Sequence, residues 1–201
     1  ARAEDEFSAA RHYPGLSAKW RDVQARISED ATHLAGCRAE PQACLPEARQ
    51  VLAIAEASRE QEGRARIGHI NRAVNLAIRP LSDLARFGID DRWSSPTETL
   101  RAGGGDCEDY AILKFLILRE AGLSESELKL LIVRQRGAPT VHAVLAALVA
   151  GEWLLLDNRS LVLVRLSDSP YRVLTQFAAE PVAVEHRALV DAAGPDLPPL
   201  L

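Results

Sequence analysis

The chain has 201 residues, is 47% hydrophobic and carries a net charge of −4. That length allows one sizeable core, so a single domain over 1–201 is expected. Mild acidity without a basic stripe argues against nucleic acid as a partner. Membrane insertion is excluded by apolar runs too short to span a bilayer, the longest being the strand-sized 141–150.

The chain begins at Ala1 rather than Met, so it reads as a mature or trimmed form from which an export signal could have been removed. Residues 1–15 are polar and punctuated by Pro14-Gly15. Trp20, Val23, Ile27 and Leu34 then recur at helical spacing and predict a helix over about 16–34, broken by Gly36 and Pro41. A second helix is predicted over about 46–59, with Val51, Leu52, Ile54 and Ala55 inward. A third runs over about 64–78 on Ile67, Ile70, Val74 and Ile78, closed by Pro80. Residues 1–80 thus read as a helical layer. Residues 81–105 read as a long loop, with one short helical turn at 97–102.

An apolar helix follows Gly105 and stops at Gly122. Beyond it the pattern turns β-like. Short runs at 128–134, 142–149, 153–156, 161–166 and 171–177, separated by turn residues, predict an antiparallel meander. The fold class is therefore α+β, helices first and then a sheet packed on the helix after Gly105. The catalytic core is placed at 81–185 and an extended, proline-containing tail at 186–201.

The run Gly103-Gly-Gly-Asp106-Cys107-Glu108-Asp109-Tyr110-Ala111 is where chemistry concentrates. Asp106 suits an N-cap, and Asp109 stands three residues on, where a capping box wants an acid. Cys107 would lie on the first helical turn, where the helix dipole favours a thiolate. The same position also suits a small buried core residue. Cys37 and Cys44 lie close in sequence and could bridge in an oxidising compartment, leaving Cys107 free; the sequence leaves that pairing open.

A nucleophilic thiol needs a base and a group to orient it. His142 opens one predicted strand and Asp157 ends the next. A turn at Ala150-Gly151 would set them nearly opposite each other at the open end of one hairpin. A Cys107–His142–Asp157 triad follows from that placement. Asp106, Glu108 and Asp109 crowd the cysteine, and negative neighbours oppose a thiolate. Successive helical residues point about 100° apart, so these acids need not face the sulfur. A bound Ca²⁺, with Asp90 and Asp91 as further oxygen donors, would remove the conflict; exposed helix-start acids are the plain alternative.

Trp93-Ser-Ser-Pro96-Thr-Glu98-Thr-Leu100, the Gly105-Asp-Cys-Glu-Asp-Tyr110 block, Asn71-Arg72 with Asn75, His142 before an apolar strand, and Leu156-Asp157-Asn158 resemble the bacterial transglutaminase-like cysteine peptidases of the LapG type. The resemblance covers about 64–180. It implies a papain-like/transglutaminase-like core with Cys107, His142 and Asp157 catalytic, and Ca²⁺ held by Asp106 and Glu108. It further implies periplasmic localisation, a large cell-surface biofilm adhesin cut near its N-terminus, and an inner-membrane cyclic di-GMP receptor that sequesters the protease. Trp93 and Asn158 are expected to line the cleft, and Asp90 to join the metal site. Acyl transfer to an amine, or a non-catalytic calcium-responsive binding module, are the rival readings.

Overall fold

The computed structural model describes Phe7 and residues 10–178. The tail assigned to 186–201, and the end of the region assigned to 81–185, lie outside the described residues. No helix among the described residues is long and apolar enough to cross a membrane.

Three helices open the chain. Helix α1, Pro14–Ala39, starts on a proline at its first position, where the missing N–H costs nothing. It runs through Gly36, so the predicted break falls later, at Glu40 and Pro41. Its Trp20, Val23, Ile27 and Leu34 are buried. Helix α2, Pro46–Arg59, has Val51 and Ala55 buried; α3, Gly63–Ala77, has Ile67, Ile70 and Val74 buried. Cys37 and Cys44 form a disulfide between the end of α1 and the approach to α2.

The stretch read as a loop holds more structure than expected. Arg79–Pro80 (β1) pairs in parallel with Gly104–Gly105 (β2). Between them lie α4, Asp83–Phe87, and α5, Pro96–Ala102. Ser82 caps α4 and Gly88 ends it in the left-handed region. Ser95 and Glu98 form a reciprocal capping box on α5. Close neighbours explain two of the glycines. A Cβ on Gly104 would fall 2.8 Å from the Arg79 carbonyl oxygen, and one on Gly105 would fall 2.6 Å from Asp109 Cβ. The glycines admit neighbouring protein atoms.

Helix α6, Cys107–Glu120, is the axis of the molecule. Every residue from Cys107 to Leu118 is buried, because α2, α3 and α5 pack on one side and the sheet on the other. A helix buried all round is a core helix.

The sheet comprises β3 (Leu128–Gln135), β4 (Val141–Val149), β5 (Glu152–Leu156), β6 (Val164–Arg165) and β7 (Tyr171–Phe177). All neighbours are antiparallel in the order β6-β5-β4-β3-β7. The meander therefore holds through β6, and β7 returns to pair with β3. The run at 161–166 is strand only at Val164–Arg165; Leu166–Asp168 is a 3-10 turn. Alternation divides the sheet. Leu130, Ile132, Ala143, Leu145, Leu154 and Leu156 join the α6 core, whereas Leu131, Val133, Val144, Trp153, Leu155 and Val173 form a second cluster with Phe7.

Candidate active site

Cys107 stands at the first position of α6 and is 2% exposed. Its Sγ accepts a hydrogen bond from the Ala143 backbone N–H at 3.3 Å. That contact brings the helix start against the start of β4, beside His142. The β4–β5 hairpin turns at Ala150 and Gly151, both at positive φ, which suits a two-residue turn. This register pairs Leu145 with Leu156 and ends there. Asp157 thus falls one residue past the ladder and diagonal to His142, a small correction to the nearly opposite placement read from sequence. The strand period of two puts both on the face of Val144 and Leu155.

His142 Nε2 lies 2.9 Å from Asp157 Oδ1, and both residues are buried. His142 Nδ1 is buried with no partner among the described residues. The imidazole is therefore anchored at one nitrogen and open at the other.

Asp157 is held by more than histidine. Tyr171 Oη donates to its Oδ2 at 2.6 Å, and the Arg159 N–H donates to Oδ1 at 2.9 Å. Burial alone would raise the Asp157 carboxyl, but bonds from His142, Tyr171 and Arg159 hold it down to about 2. Burial, then the bond to Asp157, pushes the Tyr171 phenol the other way. Asn75 Nδ2 donates to the Asp157 and Ser160 carbonyls at 2.9 and 3.0 Å, and Asn71 Nδ2 donates to Ser160 at 2.9 Å. These two asparagines tie α3 to the loop after β5.

Tyr171 was not legible as a site residue. It is 14 residues from Asp157, and only the return of β7 to β3 brings it near. Asn158 is half-buried beside Asp157, with Oδ1 unpartnered among the described residues. Trp93, expected in the cleft, is 2% exposed and packs edge-on to Phe177 at 6.2 Å.

The acids gather on the other side of Cys107. Asp83, Asp106 and Asp109, and Asp83, Asp91 and Glu108, form two groups whose ligand oxygens lie within 4.8 Å of one another. Of the two further donors offered by the sequence, Asp91 belongs to the second group, whereas Asp90 is exposed and belongs to neither; Asp83, which the sequence reading passed over, belongs to both. Asp106 does not cap α6 with its side chain, and no capping box forms with Asp109. Asp109 instead binds Arg86 in a buried ion pair and accepts from the Ser94 N–H at 2.9 Å.

Four oxygens in this cluster, Asp83 Oδ1, Asp91 Oδ1, Asp106 Oδ1 and Glu108 Oε1, are buried without a hydrogen bond among the described residues. Burial, then like charge, raises Asp106 to about 6 and Asp109 to about 7, and raises Glu108 well above its ordinary value. The acids do not all turn from the sulfur as helical spacing suggested: Glu108 Oε2 lies 3.4 Å from Cys107 Sγ. Burial and the Glu108 charge push the thiol up, against the Ala143 N–H. Converging carboxylate oxygens with no donor among the described residues are the donor set a hard cation takes, so the residues fit Ca²⁺.

Residues 23–184 match the family model of the bacterial transglutaminase-like cysteine proteinases (BTLCP). Among solved structures, Legionella pneumophila LapG is 22% identical, with 75% of this chain and 84% of that chain covered and a TM-score of 0.59. Its EGTA-treated form gives 22% identity, coverage of 75% and 82%, and a TM-score of 0.60. The calcium-bound form gives 24%, 63% and 83%, at 0.47. No curated protein sequence matches the chain. The likeness to the first two structures is one of fold: mixed helices and antiparallel sheet in the same arrangement.

Proposed function

The chain belongs to the bacterial transglutaminase-like cysteine proteinases, and from that premise we propose a calcium-requiring cysteine endopeptidase working through Cys107, His142 and Asp157. One observation carries this reading. His142 has Nε2 on Asp157 and Nδ1 free, while the next residue's N–H sits on the Cys107 sulfur.

In this reading Nδ1 takes the thiol proton and the sulfur attacks a peptide carbonyl, forming an acyl-enzyme. The imidazolium then protonates the leaving amine. His142 next takes a proton from water, which attacks the thioester, and returns it to the departing sulfur. Asp157 fixes the tautomer with the proton on Nε2 and stabilises the imidazolium. The Cys107 N–H at the start of α6 faces no helical partner and is a ready oxyanion donor.

Asp83, Asp91, Asp106 and Glu108 would hold Ca²⁺, each contributing an oxygen that otherwise lacks a partner. The cation supplies positive charge that offsets the acids around Cys107. Residues 83 and 91 belong to α4 and the following loop, and 106 and 108 to the helix start, so the same oxygens link these segments.

The substrate is a protein, as the family implies. The finer assignment rests on the resemblance: a large cell-surface adhesin cut near its N-terminus, with a cyclic di-GMP receptor at the inner membrane as sequestering partner. The Cys37–Cys44 disulfide supports a periplasmic setting, since such bridges persist in oxidising compartments. Iodoacetamide labelling at pH 6–7 in saturating Ca²⁺ tests the core claim. Cys107 reacting faster than an unfolded-chain thiol, together with loss of peptide cleavage in Cys107→Ala, is expected. Full cleavage by Cys107→Ala overturns the reading.

A further inference from the structure

Lys114 lies seven residues beyond Cys107 on α6, two turns and about 10 Å down the same helix face. It is fully buried. Its Nζ donates to the Leu156 carbonyl at 3.3 Å, and this is its one hydrogen bond among the described residues. No carboxylate among them lies within ion-pair distance of it, and the Tyr110 ring is 5.8 Å away. A buried ammonium so poorly partnered is costly, and an apolar side chain of similar shape would pack there more favourably. Packing alone does not account for a lysine at this position.

Its one acceptor does. Leu156 is the last residue of β5, where the ladder with β4 stops, and Asp157 is next. We propose that Lys114 is a positioning residue of the active site: its ammonium grips the last carbonyl of β5 and so sets Asp157 in place beneath His142. Lys114 holds the chain before Asp157, and Asn75 and Asn71 hold it after. One rigid helix thereby carries the nucleophile at its start and the grip on the acid arm two turns later. The inference rests on reading Cys107, His142 and Asp157 as the catalytic groups.

The grip depends on a proton. Burial lowers Lys114 to about 7, and the Asp157 charge opposes that shift. His142 on β4 acts through Asp157, and Tyr110 on α6 itself lies beside the ammonium; of the charged groups on the packed elements, only Asp157 shifts it. From α3 come the neutral amides of Asn71 and Asn75. Arg59 of α2 reaches α6 only at the Glu120 carbonyl, at the far end. Below about 7 the ammonium holds Leu156; above it a neutral amine donates more weakly. Stability runs the other way. The unfolded lysine keeps its proton to about 10.5, so folding becomes more favourable as pH rises from about 7. Acid-arm order and stability moving in opposite directions is a signature that a merely structural lysine would not give.

The test uses wild type, Lys114→Met and Lys114→Gln, followed by three readouts: the downfield His142 Nε2–H proton in NMR, the rate of Cys107 alkylation, and thermal melting. In wild type the His142 proton is expected to be sharp at pH 6 and lost at pH 8. Lys114→Met should melt as high as wild type or higher at pH 6, yet lack that proton and alkylate about 10²-fold more slowly. Lys114→Gln, which can still donate, should fall between them. Lys114→Met with the wild-type resonance and pH profile overturns the proposal. Should that variant not fold, a wild-type resonance unchanged between pH 6 and 8 overturns it equally. Failure of the peptidase reading looks different: Cys107 then reacts no faster than an unfolded-chain thiol, while the His142 proton still follows Lys114.

Discussion

His142 and Asp157 meet at 2.9 Å although the sheet does not pair them. The ladder ends at Leu145 and Leu156, and the contact is made diagonally beyond it. The alignment is therefore set by the groups that surround Asp157, and those groups are where substitution should be most informative.

Asp157→Asn should leave the fold intact and cut kcat by about 10²–10⁴-fold, because the amide favours the wrong imidazole tautomer. Steady-state kinetics on a cleavable peptide, with circular dichroism as the folding control, measures this. A loss below tenfold would remove Asp157 from the mechanism.

Tyr171→Phe removes one hydrogen bond to a carboxylate without changing the ring. Such bonds contribute about 1.5–3 kcal/mol. Asp157 is held at about 2 against an ordinary 3.8, so its contribution to stability is present above about 4 and is lost as pH falls toward 2. The variant should show a smaller loss over that window. Urea midpoints at pH 2.5 and 5 compare the two chains.

Calcium at a hundred times its Kd should stabilise the protein by about 2.7 kcal/mol, and EGTA should reverse this. Asp83→Asn should abolish most of the calcium response while melting no lower than wild type in EGTA, since it removes one like charge from a buried cluster. Asp90→Asn should change neither quantity. Melting curves in calcium and in EGTA decide the matter.

Reducing the Cys37–Cys44 disulfide should lower stability by about 2 kcal/mol, as expected for a short closed loop. The rate of Cys107 alkylation should not change, because the bridge joins α1 to the approach of α2 and no bond from either cysteine reaches the site. Labelling of Cys37→Ser/Cys44→Ser beside wild type measures both effects.

Local signals carried much of the site. The α2 boundaries follow from Pro46 and the spacing of Val51 and Ala55. The Ala150-Gly151 turn alone brought His142 and Asp157 within two residues of their observed register. What stayed hidden depends on long-range contact. Asp83 and Asp91 join the acid cluster through α4 and the turn of chain after Gly88, and nothing local separates Asp91 from Asp90. Lys114 sits in an apolar helix without a nearby acid to mark it. Trp93 packs on Phe177, 84 positions away, a contact that no local signal marks.

The return of β7 to β3 fixes an order of events. A chain made from its N-terminus releases Cys107, His142 and Asp157 well before residue 171. The hydroxyl that steadies the acid arrives only when the last described strand docks against the first strand of the sheet. A chain cut short before Tyr171 would hold all three reactive groups but lack that support. The final strand thus acts as a completion mark, and full alignment of the acid arm waits for the rest of the sheet.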